Sequence, residues 1–140
     1  MSLSRLLYVS HCALKEQGAA RDTAVREIAA RSAKRNPSSL LSGALLYVDD
    51  TFVQVLEGPI KAVERCFEAI CCDFRHDDIK LIDLIPAKDR VFPEWSMAFL
   101  AADGATMKTH GDLAEIRFLV GVNAREAVNQ MRHLLKQSAD

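Results

Sequence analysis

Polar and apolar positions along this chain alternate with two different periods, and the order in which those periods follow one another outlines a fold. Leu6-Leu7-Tyr8-Val9-Ser10 alternates as a strand does, with Leu6, Tyr8 and Ser10 on one face and Leu7 and Val9 on the other. A polar connection runs on through Gly18, and Asp22 or Thr23 is expected to cap a helix. Val25, Ile28, Ala29 and Ser32 then recur at helical spacing and mark its inner face. Asn36-Pro37 ends that helix, because a residue before proline avoids the helical region. Residues 40–48 and 52–56 are expected to form a hairpin turning at Asp49-Asp50, with Phe52, Gln54 and Leu56 sharing a face. Gly58-Pro59 opens a second helix whose apolar stripe is Val63, Phe67 and Ile70. Residues 79–85 and 96–100 supply a fourth and a fifth strand.

The order βαββαββ, with two helices and a mostly antiparallel sheet, predicts an α+β sandwich of ferredoxin-like type with both helices on one sheet face. A helical extension is expected to follow, dividing the chain into residues 1–100 and 101–140. Its clearest part begins at Asn123, a cap with Glu126 in the capping-box position. Ala124, Ala127, Val128, Met131, Leu134 and Leu135 form one apolar stripe there. That stripe must pack on the domain or on a second copy, and the sheet face left bare by the first two helices is the expected acceptor.

Composition narrows the class. The 140 residues are 49% hydrophobic and 26% charged, ordinary values for one globular domain. The net charge of -1 offers no broad basic field for nucleic acid or an anionic membrane. No apolar run reaches a membrane span, and the N-terminus has no signal-peptide pattern, so a cytoplasmic protein is expected. Cys12, Cys66, Cys71 and Cys72 read as small buried hydrophobes, reduced in the cytosol. Cys71, Cys72 and His76 match no standard zinc spacing, and no metal is expected. Neither a nucleophile–base pair, nor a phosphate loop, nor paired carboxylates in one site is present, which argues against an enzyme. The aromatic strand motif of an RNA-binding sheet is missing as well.

The candidate chemistry lies where polar residues interrupt apolar runs. Tyr8 and Gln54 sit within strands, and Asn36 closes the first helix. A buried amide carries two donors and an acceptor that need partners, so a strand that keeps one in its core has a polar neighbour or ligand for it. Taken singly, Tyr8, Gln54, Ile28 and Ile70 also have plain readings as core residues.

Taken in order, Ser42-Gly43-Ala44-Leu45-Leu46-Tyr47, Phe52-Val53-Gln54-Val55-Leu56-Glu57-Gly58-Pro59, Asp73-Phe74-Arg75-His76 and Phe92-Pro93-Glu94-Trp95-Ser96-Met97 resemble the BLUF family over about residues 5–100. These are blue-light sensors that bind flavin adenine dinucleotide (FAD). The resemblance implies that Tyr8 exchanges an electron and a proton with the excited flavin and that Gln54 bridges Tyr8 to the ring. It implies Asn36 at the ring's polar edge and Ile28 and Ile70 on its two faces. Asp73, Arg75 and His76 would lie toward the ribityl and phosphate end, and Trp95 and Met97 would change position with light. The chain departs from the family in three places. Ser39-Leu40-Leu41-Ser42-Gly43 lacks the first glycine of a Gly-Ile-Thr-Gly-like pattern, and Ala69 stands where many members have arginine, with Arg65 one turn earlier. The connection after Tyr8 is also longer.

Two functions compete: a flavin photosensor acting on a separate protein or on a second copy, and a flavin-free interaction or ligand-binding module on the same sandwich. The colour of the purified protein separates them.

Overall fold

The computed structural model describes residues 2–36, 40–73, 75–101 and 110–138. Its elements are β1 (Leu3–Cys12), α1 (Gly18–Arg35), β2 (Ser42–Val48), β3 (Thr51–Pro59), α2 (Ile60–Cys71), β4 (His76–Ala87), β5 (Ala98–Ala101), α3 (His110–Val120) and α4 (Ala124–Ser138). The five-stranded sheet has the order β4-β1-β3-β2-β5. β1 lies antiparallel to both β3 and β4, β2 antiparallel to β3, and β5 parallel to β2. This is the expected ferredoxin-like sandwich, with a helical extension after it. No helix among the described residues is long and apolar enough to cross a membrane.

Strand periodicity sorts the side chains into two cores. On one face Leu6, Tyr8, Leu45, Phe52 and Leu56 meet Val25, Ile28 and Ala29 of α1 and Val63 and Ile70 of α2. On the other, Leu7, Leu46, Val53, Val55 and Leu100 meet Leu113 and Ile116 of α3 and Ala127, Val128, Met131 and Leu135 of α4. The α4 stripe thus covers the face that α1 and α2 leave bare. Asn123 caps α4 by accepting a 3.1 Å bond at Oδ1 from the Glu126 amide. The reciprocal half of the capping box is absent: Glu126 Oε1 accepts from Gln130 Nε2 at 2.9 Å, and the Asn123 amide donates to the Leu119 carbonyl.

Some element boundaries differ from the pattern-based expectation. α1 starts at Gly18, a turn before Asp22 and Thr23, with Gln17 at the cap position and no side-chain capping bond. Thr23 is already inside the helix and donates to the Ala19 carbonyl at 3.0 Å. The first turn is tied instead by Arg21, which donates to the carbonyls of Glu16 and Leu14 and to Asp50. β5 begins at Ala98 rather than at residue 96, because the Ser96 carbonyl accepts from the Asn36 side chain instead of joining the ladder.

The β2–β3 hairpin turns at Asp49 and Asp50, with φ of 49° and 58°. Both central residues are left-handed, as a tight turn matched to strand twist requires. Tyr47 Oη and Arg21 Nη1 hold Asp50 Oδ1 at 2.9 and 2.6 Å, which offsets the conformational cost.

Candidate functional site

The site begins as a cross-strand pair. Register places Tyr8 of β1 directly opposite Gln54 of β3, both on the face covered by α1 and α2. The Tyr8 phenol donates to Gln54 Oε1, and Gln54 Nε2 donates to Met97 Sδ at 3.5 Å. A tyrosine, an amide and a thioether from three separate segments are therefore joined in one buried chain. Burial pushes the Tyr8 phenol well above its ordinary pKa, and the nearby Cys66 and Asp73 add to the effect. Tyr8 is consequently a neutral donor at physiological pH.

Around this chain lie more polar groups than a plain core would hold. Ser10 Oγ and His76 Nδ1 are 2.9 Å apart, and the His76 ring lies tilted against Phe52 with their centroids 4.6 Å apart. Burial lowers the His76 pKa, so its imidazole is uncharged at neutral pH. Asn36, 1% exposed at the end of α1, donates from Nδ2 to the Ser96 carbonyl at 2.6 Å. Ser96 immediately precedes Met97, so Asn36 and Gln54 hold adjacent residues of one segment.

A cavity of about 530 Å³ opens between the C-terminal end of α1 and the outer side of α2. It falls within the ~300–1,000 Å³ of small-molecule sites. Asn36, Leu41 and Cys66 form its inner wall, and Arg35, Lys61 and Arg65 its basic rim. Leu41 belongs to the core around Tyr8 and Cys66 packs against it, so the cavity abuts the switch residues. Lys61 and Arg35 were not singled out from sequence, although Lys61 and Arg65 stand one turn apart on a single helix face. Arg65 does share the cavity with Ala69.

The remaining candidates divide. Ile28 and Ile70 are buried in the same core, 7% and 9% exposed, behind the cavity rather than in its wall. Asp73 and Arg75 bind each other at 2.5–3.0 Å and do not line the cavity. The Arg75 guanidinium holds the Asp73 carboxyl below its ordinary pKa. Phe74 lies outside the described residues. Met97 faces Gln54, whereas Trp95 turns to the opposite core and packs edge-on to Phe92 at 6.3 Å. Of the four cysteines expected to be buried only Cys12 is; Cys66 is half-buried and Cys71 and Cys72, at the end of α2, are exposed, and no group of metal-ligating residues occurs among the described residues.

Two glycine positions explain local geometry. A side chain at Gly43 would meet the Val55 carbonyl oxygen at 1.9 Å, so β2 can approach β3 there only with glycine. Three residues earlier, where the family pattern has its first glycine, Leu40 adopts φ of 61° and is 54% exposed at the cavity edge. The backbone keeps the glycine conformation although the residue has changed.

A ferredoxin-like sandwich with a buried Tyr–Gln pair beside a basic-rimmed cavity defines a class of ligand-binding sensor domain. Residues 3–98 match the family model described as BLUF, sensors of blue-light using FAD, and the chain belongs to that family. It is a blue-light sensor whose cofactor is FAD. It is 40% identical over 65 residues to photoactivated adenylate cyclase subunit beta of Euglena gracilis, a match spanning 46% of this chain and 8% of that one. It is 34% identical over 88 residues to the blue light- and temperature-regulated antirepressor BluF of Escherichia coli (strain K12), spanning 61% and 21% of the two chains. The matches therefore cover only a small part of these longer relatives. The dark-state structure of the BLUF protein BlrB superposes with a TM-score of 0.75 at 28% identity, covering 98% of this chain and 97% of that one.

Proposed function

We propose that Tyr8, Gln54 and Met97 form the light-operated hydrogen-bond switch, and that residues 101–140 carry its output to another polypeptide or to a second copy. The observation that carries this reading is the continuous bond from the Tyr8 phenol through the Gln54 amide to the Met97 sulfur.

The residues suit a flavin. Asn36 and Gln54 offer amides for a polar ring edge, Ile28 and Ile70 offer aliphatic surfaces for its faces, and Lys61 and Arg65 offer cations for a diphosphate. Asp73 and Arg75, bound to each other, are poorer candidates for the phosphate end than Lys61 and Arg65. Seating the ring between Ile28 and Ile70 requires the helices to part. When bound, flavin absorbs blue light and becomes an acceptor for an electron from a nearby donor, the role assigned to Tyr8.

The chemistry of the switch follows from what each group can donate. In the observed orientation Gln54 Oε1 accepts from Tyr8 and Nε2 donates to sulfur. If the amide exchanges its ends, Nε2 faces the Tyr8 oxygen, which can accept, while Oε1 faces a thioether that has no proton to give. The Met97 bond is lost, and Met97 thereby reports the orientation of the amide. Each such bond contributes only ~1 kcal/mol, so the switched state should relax thermally.

Light-minus-dark absorption of the flavin-loaded protein is the test. Wild type should shift its flavin band to longer wavelength; Tyr8→Phe and Gln54→Leu should retain flavin and lose the shift. A full shift in either variant would overturn the assignment.

A further inference from the structure

We infer that Glu57 is a positioning residue for the switch: it clamps the start of the segment crossing from β4 to β5, and so delivers Met97 to Gln54. The inference rests on the reading that the Gln54–Met97 contact distinguishes the two states.

Glu57 lies three residues after Gln54 on β3, facing the opposite core. It is a carboxylate only 1% exposed, and every bond the structure gives it leads to the crossing segment or to β1. Oε2 accepts from the Val91 amide at 2.8 Å and from Arg5 Nε at 2.8 Å; Oε1 accepts from the Phe92 amide at 2.7 Å. Arg90 adds a second tie, donating to the Glu57 and Leu40 carbonyls at 3.0 and 2.7 Å and to Ser42 Oγ at 2.7 Å.

Residues 88–97 join the two edges of the sheet and cross its end, where no ladder is available to hold them. A buried carboxylate bonded to two successive backbone N–H groups replaces the missing ladder, and charge-assisted bonds of this kind are about twice as strong as neutral ones. Further along, the Trp95 carbonyl accepts from the Gly43 amide at 3.0 Å and the Ser96 carbonyl from Asn36. Only then does Met97 reach Gln54. The fixed points at 91 and 92 therefore decide which of Trp95 and Met97 enters the switch core. They stand on the same strand as the amide that Met97 reads, so β3 presents the switch on one face and the anchor on the other.

Glu57→Gln keeps the shape but puts an amide NH2 in place of one of the two oxygens that accept from the Val91 and Phe92 N–H groups. Backbone exchange at whichever of Val91 and Phe92 loses its acceptor, measured by NMR on the flavin-loaded full chain, should speed up by about tenfold or more. The Met97 methyl signal in the dark should move or split, and dark recovery should slow severalfold, because the sulfur is no longer held where it favours the dark orientation of Gln54. Arg90→Ala, which buries no new group, should change recovery and the Met97 signal in the same direction by less. It serves if Glu57→Gln does not fold. Unchanged amide exchange and an unmoved Met97 signal in the folded variant would overturn the clamp, as would an unmoved Met97 signal in Arg90→Ala. Failure of the underlying reading shows separately, as a Tyr8→Phe protein that keeps its light-induced shift.

Discussion

The two cores either side of the sheet share strands but not chemistry. The core under α3 and α4 is made of aliphatic side chains with Phe92 and Trp95, and the buried Glu57 carboxylate on that side of the sheet is taken up by Arg5 and by the Val91 and Phe92 amides. The core under α1 and α2 buries Ser10, Asn36, Gln54 and His76 beside the Tyr8 phenol. Apolar packing is non-directional and tolerates only one thing, a filled volume. A hydrogen-bonded core is directional, and it can exchange one bonding pattern for another at a cost of about 1 kcal/mol per bond. One face is therefore suited to hold the fold and the other to change state, and the crossing segment touches both: Phe92 and Trp95 belong to the first and Met97 to the second.

The contrast can be broken by truncating the apolar side. Phe92→Ala should cost about 3–5 kcal/mol in denaturant unfolding, because Phe92 is fully buried and its cavity cannot refill. Tyr8→Phe, at an equally buried position, leaves Gln54 Oε1 without its donor; it should cost less, about 1–3 kcal/mol, and abolish the light response. Equal losses in the two variants would erase the distinction.

Removing the cofactor probes the other side alone. Adding FAD back at about a hundredfold excess over Kd should raise stability by ~2.7 kcal/mol through linkage. Hydrogen exchange should then slow in α1 and α2 more than in α3 and α4. Uniform protection would contradict the division.

A subtler test uses pH. Burial holds the His76 pKa below 6.5, so the unfolded chain takes up a proton that the folded chain refuses. Stability should fall as pH drops below about 6.5, and His76→Gln should flatten that slope. Asp73, held low by Arg75, contributes stability that is lost only on further acidification, as pH falls below its ordinary 3.8. Unfolding midpoints at several pH values separate the two groups. An unchanged slope in His76→Gln would remove His76 from the account.

The smallest expected effect is at the cavity edge. Leu40 occupies a left-handed conformation that costs an ordinary residue roughly 1–2 kcal/mol. Leu40→Gly should be stabilising by about 0.5–1 kcal/mol after the extra chain entropy of glycine is counted. A loss of stability would mean that the leucine side chain contributes packing at the cavity edge.

Much of this is legible in the sequence. The period-two alternation of β1 and β3 put Tyr8 and Gln54 on the faces where they occur, and the α4 stripe named its own buried residues. Local geometry dominates there, since side-chain direction in a strand or helix follows from position alone. The start of α1 was missed because its first turn is tied by Arg21 to Leu14, Glu16 and Asp50 rather than by a capping side chain. The basic rim of Arg35, Lys61 and Arg65 draws on two helices, and only their packing brings it together. That Met97 and not Trp95 meets Gln54 could not be read from two residues of equal apolar character two positions apart. By itself the sequence determined which residues line each face and which side chains can donate or accept. Tertiary structure alone decided that Tyr8 stands opposite Gln54, through the strand order that places β1 beside β3, and that Met97 arrives there, through a buried carboxylate thirty-odd residues away in sequence gripping Val91 and Phe92. Register and long-range hydrogen bonds depend on closing the whole sheet, and no local pattern encodes that closure.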